Sequence, residues 1–192
     1  PMRFEADVFE CEVEGEIPAE LQGAYFRTGG DRQFPSLEGD IILNGDGIAS
    51  MFRFDNGHAS FRTRYVQTDR FKREREAGKR LFGVYRNKYT DDPSVSNMPN
   101  RDNTGNTYAF NHHGELYMLR EDSRPYRMDP FTLDTLEQGD FGPLRSTALT
   151  AHPKIDPVTG EWWSYGVFAG GEPTTDASLH VFDAAGKLIR EE

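Results

Sequence analysis

The sequence predicts an all-β fold of short antiparallel strands joined by tight turns, with one short charged helix. Apolar and polar residues alternate over short stretches that end in glycine-containing turns, which is the pattern of half-buried strands. Two turns share the sequence Asp-Pro-x-Thr and begin 27 residues apart, at Asp129 and Asp156, which suits successive hairpins in a radial array. Together these observations favour a sandwich, a barrel or a propeller.

The predicted elements follow one another as hairpins. An acidic opening segment with alternating apolar residues predicts a half-buried strand over 8–13. The later strands flank turns in which glycine supplies a positive φ. They are 51–54 with 59–66, 107–110 with 116–119, 162–168, and 179–182 with 187–190.

Two segments depart from the strand pattern. Residues 69–80 carry six basic and two acidic side chains besides Asp69 and are interrupted by Gly78, which predicts a short charged helix. A solvated helix face is the favoured interpretation, and a site for an anionic partner is the alternative. Residues 91–106 are rich in Asp, Asn, Pro and Ser and predict a loop.

The composition excludes several other classes of protein. Of the 192 residues 12% are aromatic, which disfavours disorder, and no apolar run approaches the ~18 residues of a membrane-spanning helix. The formal net charge of −10 argues against a nucleic-acid partner. Cys11 is the single cysteine, which excludes an internal disulfide framework and fits a reducing compartment such as the cytoplasm. The chain starts at Pro1, and we expect it to be part of a longer protein.

His152 is the strongest candidate for chemistry among the five histidines. Pro153 follows it and biases it to extended geometry, so that the imidazole has a fixed direction at the end of a strand. A metal ligand or a base needs this property, whereas a buried histidine bonded to a backbone carbonyl is the alternative. The other histidines are expected to be exposed: three lie in or beside turns (His58, His112 and His113), and His180 lies on the surface face of a strand.

The chain lacks a nucleophile elbow, a phosphate-binding loop and a dinucleotide fingerprint. The sequence Asn-Gly-Asp-Gly at 44–47 lacks the full spacing of a calcium loop. It predicts a glycine turn before a strand.

Two sets of short segments run in order from about Gly15 to the C-terminus. The first set is Ile-Pro-Ala-Glu-Leu-Gln-Gly-Ala-Tyr-Phe-Arg at 17–27, Asn-Gly-Asp-Gly at 44–47, Arg-Tyr-Val-Gln-Thr at 64–68, Gly-Asn-Thr at 105–107, His-Gly-Glu-Leu at 113–116, Asp-Pro-Phe-Thr-Leu-Asp-Thr at 129–135 and Thr-Ala-His-Pro-Lys at 150–154. The second set is Phe-Gly-Val-Tyr-Arg-Asn at 82–87, Tyr-Thr-Asp-Asp-Pro-Ser-Val at 89–95 and Glu-Asp-Ser at 121–123. The first set resembles the carotenoid cleavage oxygenases, and the second resembles the bacterial stilbene-cleaving branch of that family, the lignostilbene dioxygenases.

The resemblance implies a specific fold and chemistry. Residues 1–192 would be the N-terminal part of a seven-bladed β-propeller that holds a non-haem Fe(II) with four histidines. The iron would bind O₂, and the enzyme would split an alkene into two carbonyl products. His152 matches the first iron-binding histidine, and Glu121 matches a glutamate that accepts a hydrogen bond from a ligating imidazole. The other three histidines are expected beyond Glu192.

The resemblance also implies contacts to a small aromatic alkene substrate. Tyr85, or Tyr89 if the loop alignment shifts, matches a tyrosine that contacts the substrate phenol. Arg120 stands where the stilbene branch has a phenol-binding lysine. Because its planar fork prefers a two-oxygen partner, Arg120 predicts a substrate with an acidic group, and a structural ion pair with Asp122 is the alternative. The usual Gly-Pro after the Tyr-x-Arg motif is replaced by Thr-Gly-Gly-Asp at 28–31.

Three functions therefore remain open. The leading one is an Fe(II)-dependent dioxygenase that cleaves a stilbene or a related phenylpropanoid. A carotenoid or apocarotenoid cleavage oxygenase is the alternative within the family. A truncated propeller fragment that binds no metal is the alternative outside enzymes.

Overall fold

Residues 2–98, 101–171 and 174–192 are described by a computed structural model of the chain. These residues form twelve β-strands in three four-stranded antiparallel sheets, with one α-helix and two short 3₁₀ turns. The predicted all-β fold with one short helix is thus confirmed.

The first sheet has the strand order β1-β4-β3-β2. Its strands are β1 (Ala6–Val8), β2 (Gly23–Asp31), β3 (Asp46–Asp55) and β4 (His58–Tyr65). The chain returns from β3 to β4 through Asn56 and Gly57, both with positive φ, at the turn that the sequence predicts. The N-terminal strand β1 pairs with β4. The carboxylate of Asp7 in β1 forms ion pairs with Arg62 and Arg64 of β4, which support this pairing.

The second and third sheets have their strands in simple up-and-down order. The second contains β5 (Tyr108–His112), β6 (Glu115–Leu119), β7 (Tyr126–Met128) and β8 (Thr135–Gln138). The third contains β9 (Lys154–Ile155), β10 (Trp162–Val167), β11 (Ala177–Phe182) and β12 (Leu188–Glu191). Asp129 and Asp156 each accept two backbone N–H bonds in their turns, between β7 and β8 and between β9 and β10, so the shared motif has one local structure.

The second sheet packs between the other two because its residues alternate between two buried faces. Met118 of β6 lies in a core with Met51 of the first sheet, and the next residue, Leu119, lies in a core with Trp162 and Phe182 of the third. Four-stranded sheets packed face to face in sequence order are the arrangement of propeller blades. The outward face of the first sheet leaves Phe52 exposed.

The helix α1 (Asp69–Ala77) lies within the predicted charged segment. Thr68 caps its N-terminus by accepting a hydrogen bond from the Phe71 amide, and Gly78 ends it in the left-handed conformation. The helix is not solvated on all sides, because Arg70, Phe71 and Glu74 are buried on one face. No helix among the described residues is both long enough and apolar enough to cross a membrane.

Several local expectations were wrong. The first strand ends at Val8, and Phe9 is 86% exposed, because the chain bends at residues 9 and 10 before the Cys11 amide donates to the Ala59 carbonyl of β4. His180 is fully buried and not on a surface, since its face of β11 is the one that packs on the second sheet. His112 is also buried, stacked between Phe110 and Trp162. The predicted loop 91–106 includes residues 99 and 100, which lie outside the described residues; the rest of it is irregular.

Candidate functional site

Glu121 and His152 lie side by side although 31 positions separate them in the sequence (121 to 152). The Nε2 atom of His152 is 2.8 Å from Oε1 of Glu121. The second oxygen of Glu121 accepts a hydrogen bond from the Thr150 hydroxyl at 3.0 Å, and that hydroxyl accepts one from the His152 amide. His152 lies in a bend before β9 and does not end a strand, so these hydrogen bonds fix its position.

The chain brings the two residues together through the end of β6. The strand ends at Leu119, and Ser123 forms an isolated antiparallel bridge with Leu149. Between these points Glu121 is directed toward the 150–152 segment. The carboxylate of Glu121 thus lies against the His152 ring at ion-pair distance.

The imidazole of His152, with the carboxylate of Glu121 beside it, is chemically suited to be one ligand of an iron site. The His152 side chain is 62% exposed, and its Nδ1 atom has no hydrogen bond among the described residues. Imidazole nitrogen suits iron, and a carboxylate on the other ring nitrogen is the usual way to orient such a ligand. Residues 2–98, 101–171 and 174–192 hold no group of three or more His, Cys, Asp or Glu side chains that could bind a metal. The described residues thus fit iron as one accessible, oriented imidazole and not as a complete ligand set.

Tyr85 and Arg120 also come together, next to Arg86 and Asp122. The guanidinium carbons of Arg86 and Arg120 each lie 5.2 Å from the centre of the Tyr85 ring. Asp122 joins the two cations, with Oδ2 2.9 Å from Nη2 of Arg86 and Oδ1 3.2 Å from Nε of Arg120. The side chains of Arg120 and Asp122 are each only 4% exposed, so the ion pair between them is shielded from water, whereas the Arg86 side chain is 40% exposed.

Arg120 is buried and has further partners on its Nη1 atom. Nη1 donates to the carbonyl oxygen of Leu43 at 2.9 Å and to the hydroxyl of Thr104 at 2.6 Å, with the Asn106 side-chain oxygen at 3.4 Å. The structural ion pair with Asp122 that the sequence left as an alternative is therefore present. Nη2 of Arg120 has no hydrogen bond among the described residues.

The segment before β3 is held rigidly beside this cluster. Asp40 accepts hydrogen bonds from the Asn44 side chain, the Tyr85 amide and Arg80. Burial by itself raises the pKa of Asp40, but these hydrogen bonds outweigh it and lower the pKa below its usual value. Asp40 is therefore ionised at neutral pH and ties the Tyr85 backbone to the Asn44 turn.

A cleft of about 860 Å³ opens beside the cluster. Its lining includes Arg86, Tyr89, Asp122 and Phe168. Tyr89 is 91% exposed, whereas Tyr85 is half-buried with two guanidinium groups near its ring, so Tyr85 is the tyrosine that the fold positions beside Arg120. Arg86 and Phe168 both have positive φ, and the guanidinium of Arg86 lies 5.3 Å from the Phe168 ring.

Sequence reasoning missed the role of Arg86 and treated Asp122 only as an ion-pair partner. The available signal was the spacing of Arg120 and Asp122, since residues two apart in extended chain point to the same side. No local signal places Arg86 against Asp122, because that contact joins two loops 36 positions apart.

A second buried cluster lies at the start of β3. Asp31 and Asp46 are directly opposite each other on β2 and β3, and both are buried. Asp31 accepts hydrogen bonds from three backbone amides, whereas Asp46 accepts one, from Gln33, and its Oδ1 atom has no partner among the described residues. Burial raises the pKa of Asp46 to about 6, with Arg70 lowering it and Glu74 raising it further.

Comparison with known proteins gives consistent matches over the whole chain. The model of the RPE65 family, described as retinal pigment epithelial membrane protein, matches residues 1–192. The chain is 49% identical to lignostilbene-alpha,beta-dioxygenase isozyme III of Sphingomonas paucimobilis and 43% identical to isoeugenol monooxygenase of Pseudomonas putida. Each alignment covers 100% of this chain, but 39% and 40% of those proteins.

A solved structure shows the same likeness in three dimensions. The crystal structure of Pseudomonas brassicacearum lignostilbene dioxygenase superposes with a TM-score of 0.92 at 42% identity. The superposition covers 100% of this chain and 40% of that one. The chain thus spans about 40% of the length of these relatives and has the fold of the corresponding part.

Proposed function

Because the chain belongs to the RPE65 family, the family of the carotenoid cleavage oxygenases, we propose that the whole protein is a non-haem Fe(II)-dependent dioxygenase. It cleaves the alkene of a stilbene or a related phenylpropanoid into two carbonyl products. The observation that carries the proposal is the 2.8 Å contact between Glu121 and His152, since it orients one accessible imidazole in the way a metal ligand requires. The relatives named for lignostilbene and isoeugenol support an aromatic alkene as the substrate.

In this proposal His152 is one iron ligand and Glu121 fixes its ring plane and tautomer. The bound iron supplies the site at which O₂ is activated for the cleavage. The carboxylate of Glu121, 2.8 Å from Nε2, would keep the His152 ring in place for the metal. In this proposal the remaining ligands come from other segments of the whole protein, since the described residues hold no complete ligand set.

Tyr85 and Arg120 bind the phenolic ring of the substrate. The Tyr85 ring, fixed by two guanidinium groups, offers a rigid wall for an aromatic ring. The positive charge of Arg120 would stabilise a phenol placed beside it in its ionised form. Electron density then moves from the phenolate oxygen into the alkene and assists its oxidation. The single cysteine supports a reducing compartment, the cytoplasm, as the proposed location of the protein.

The test is product analysis with the iron-loaded whole protein, using a 4-hydroxystilbene and an apocarotenoid in parallel. We expect O₂ consumption and two aromatic aldehydes from the stilbene, with little turnover of the apocarotenoid. The reverse preference would support the carotenoid-cleaving alternative. A protein that retains no iron and consumes no O₂ would support the metal-free alternative and refute the proposal.

A further inference from the structure

The buried hydroxyl of Thr150 has a fixed direction because both of its hydrogen-bonding roles are taken. Thr150 is fully buried. Its hydroxyl donates to Oε2 of Glu121 at 3.0 Å and accepts from the His152 amide at 3.0 Å. A backbone amide can only donate, so that bond takes a lone pair of the hydroxyl and leaves its single hydrogen for Glu121. The hydroxyl hydrogen therefore points at the carboxylate.

The backbone around Thr150 is held by two neighbouring sheets. The Thr150 amide donates to the Tyr165 carbonyl oxygen at 2.6 Å, which attaches it to β10 of the third sheet. The preceding amide, that of Leu149, donates to the Ser123 carbonyl oxygen at 3.2 Å, in the loop that follows β6 of the second sheet. Thr150 is therefore a fixed point from which a neighbouring side chain can be oriented.

The carboxylate of Glu121 depends on such a fixed point. The Glu121 side chain is 35% exposed, and a glutamate loses much rotational freedom when it is held in one geometry. Among the described residues, Oε2 accepts from the Thr150 hydroxyl and, at the longer distance of 3.4 Å, from the Ala151 amide. The hydroxyl is the shorter of these two bonds, so it contributes most to the orientation of the carboxylate.

We infer that Thr150 is a positioning residue, which fixes the carboxylate of Glu121 so that Oε1 faces the imidazole of His152. A carboxylate can orient a ligating imidazole only while its own direction is kept, and hydrogen bonds further from the metal maintain that direction. The inference rests on the proposed function, since it gives Thr150 a role in the iron site proposed there. The effect of Thr150 passes through Glu121 and is therefore absent when Glu121 is removed.

Substitutions of Thr150 separate the hydroxyl from the shape of the side chain. Thr150→Val keeps the shape and removes the hydroxyl, whereas Thr150→Ser keeps the hydroxyl. Thr150→Ala also removes the hydroxyl and takes the place of Thr150→Val if that variant does not fold. Thr63→Val is the matched control, because Thr63 is also fully buried and its hydroxyl donates to the Ala49 carbonyl oxygen at 2.9 Å within the first sheet.

The experiment measures the dissociation constant of the whole protein for Fe(II), by competition with a chelator and without substrate or O₂. We expect Thr150→Val to weaken Fe(II) binding by about 3- to 10-fold, as for the loss of one hydrogen bond. Thr150→Ser should bind Fe(II) as tightly as the unmodified protein. Thr63→Val should lower the melting temperature, as Thr150→Val does, but should leave the Fe(II) affinity unchanged.

A double-mutant cycle tests whether Thr150 acts through Glu121. In Glu121→Ala there is no carboxylate to orient, so adding Thr150→Val should cause no further loss of Fe(II) affinity. A residue that only supports the fold would weaken Fe(II) binding by the same factor in both backgrounds.

The outcomes separate the inference from the proposed function. Unchanged Fe(II) affinity in Thr150→Val, no recovery in Thr150→Ser, or the same loss in the Glu121→Ala background would each overturn the inference. Cleavage of a 4-hydroxystilbene by the same protein would then leave the proposed function standing. Coupling between Thr150 and Glu121 in a protein that does not cleave the stilbene would refute the proposed function and leave the inference intact. A whole protein that retains no Fe(II) would overturn both.

Discussion

The contact between His152 and Glu121 leads to a prediction about iron binding. In the whole protein, His152→Ala should abolish iron retention, because an imidazole ligand is lost. Glu121→Gln keeps the side-chain volume but weakens the acceptor for the imidazole N–H, and should lower iron affinity by about 10- to 100-fold. Iron per chain, measured by elemental analysis after dialysis, checks both. His58→Ala is the control, since the His58 side chain is exposed and contacts the carboxylate of Glu10 at the surface. Normal iron content in His152→Ala would refute the assignment.

The raised pKa of Asp46 predicts that the thermal stability of the protein depends on pH. The pKa of Asp46 rises from 3.8 to about 6 on folding, so the folded state holds this proton more tightly than the unfolded state. The resulting stabilisation is complete below pH 4 and is lost as the pH rises through 6. Asp46→Asn imitates the protonated group and should therefore raise the melting temperature at pH 7.5, with the difference from the unmodified protein shrinking toward pH 5. The full effect is on the order of 3 kcal/mol, the free energy of a two-unit shift.

Melting curves of the whole protein at several pH values measure this difference. Asp55→Asn is the control, because Asp55 ends the same strand but is exposed. A pH-independent difference between Asp46→Asn and the unmodified protein would contradict the account.

The candidate site was predictable from the sequence only as separate residues. Glu121 and His152 are recognised by their motifs, but their contact depends on the bridge between Ser123 and Leu149, which no local pattern reveals. Arg120 illustrates the limit most clearly. Its residue type predicts a fork for a carboxylate, and only the fold shows that Asp122 and Leu43 already occupy that fork.

At the level of elements, a close backbone contact at the start of β3 explains why the Asn-Gly-Asp-Gly motif at 44–47 ends in a glycine, Gly47. Gly47 lies against the loop of the second sheet, and its amide donates to the Thr104 carbonyl. A Cβ atom at Gly47 would lie 2.4 Å from that carbonyl oxygen and 2.6 Å from the Gly105 oxygen. The glycine is thus required by a close backbone approach and not by its φ angle.

Gly47→Ala should therefore destabilise the whole protein by about 1–3 kcal/mol, the usual cost of overpacking. Gly29→Ala is the matched control in the neighbouring strand β2, because no atom lies within 4 Å of a Cβ placed there. Chemical denaturation of both variants measures the difference. Equal free energies of unfolding would show that the 45–47 segment can move away from Thr104.

The sequence predicted the hairpins and the helix because turn and cap residues act locally, as Gly57 and Gly78 show. It did not predict which face of a strand is buried. His180 occupies a regular strand, but whether its face meets solvent depends on where the second sheet packs. The same limitation applies to His112, which was expected in a turn but ends β5 and is buried because Trp162 of another sheet covers it.

For the whole molecule, the packing of three sheets leaves two outward faces. The first sheet carries Tyr25 and Phe52 next to each other on adjacent strands, and both are exposed. The third sheet exposes Tyr165 on its outward face. Contiguous apolar side chains of this kind promote association. We therefore expect the isolated chain 1–192 to self-associate in solution and to consume no O₂ with a stilbene.

Two adjacent residues of β3 test this expectation because they point to opposite faces. Phe52 lies on the outward face, whereas Met51 is buried in the core shared with the second sheet. Phe52→Lys should keep the circular dichroism spectrum of the isolated chain and reduce its mass in sedimentation, since a charge interrupts the apolar face. Met51→Lys should instead abolish cooperative unfolding, because it buries an unpaired charge between two sheets. If the unsubstituted chain were monomeric and unfolded cooperatively, the exposed apolar faces would not promote association. Three blades would then be stable without the rest of the propeller.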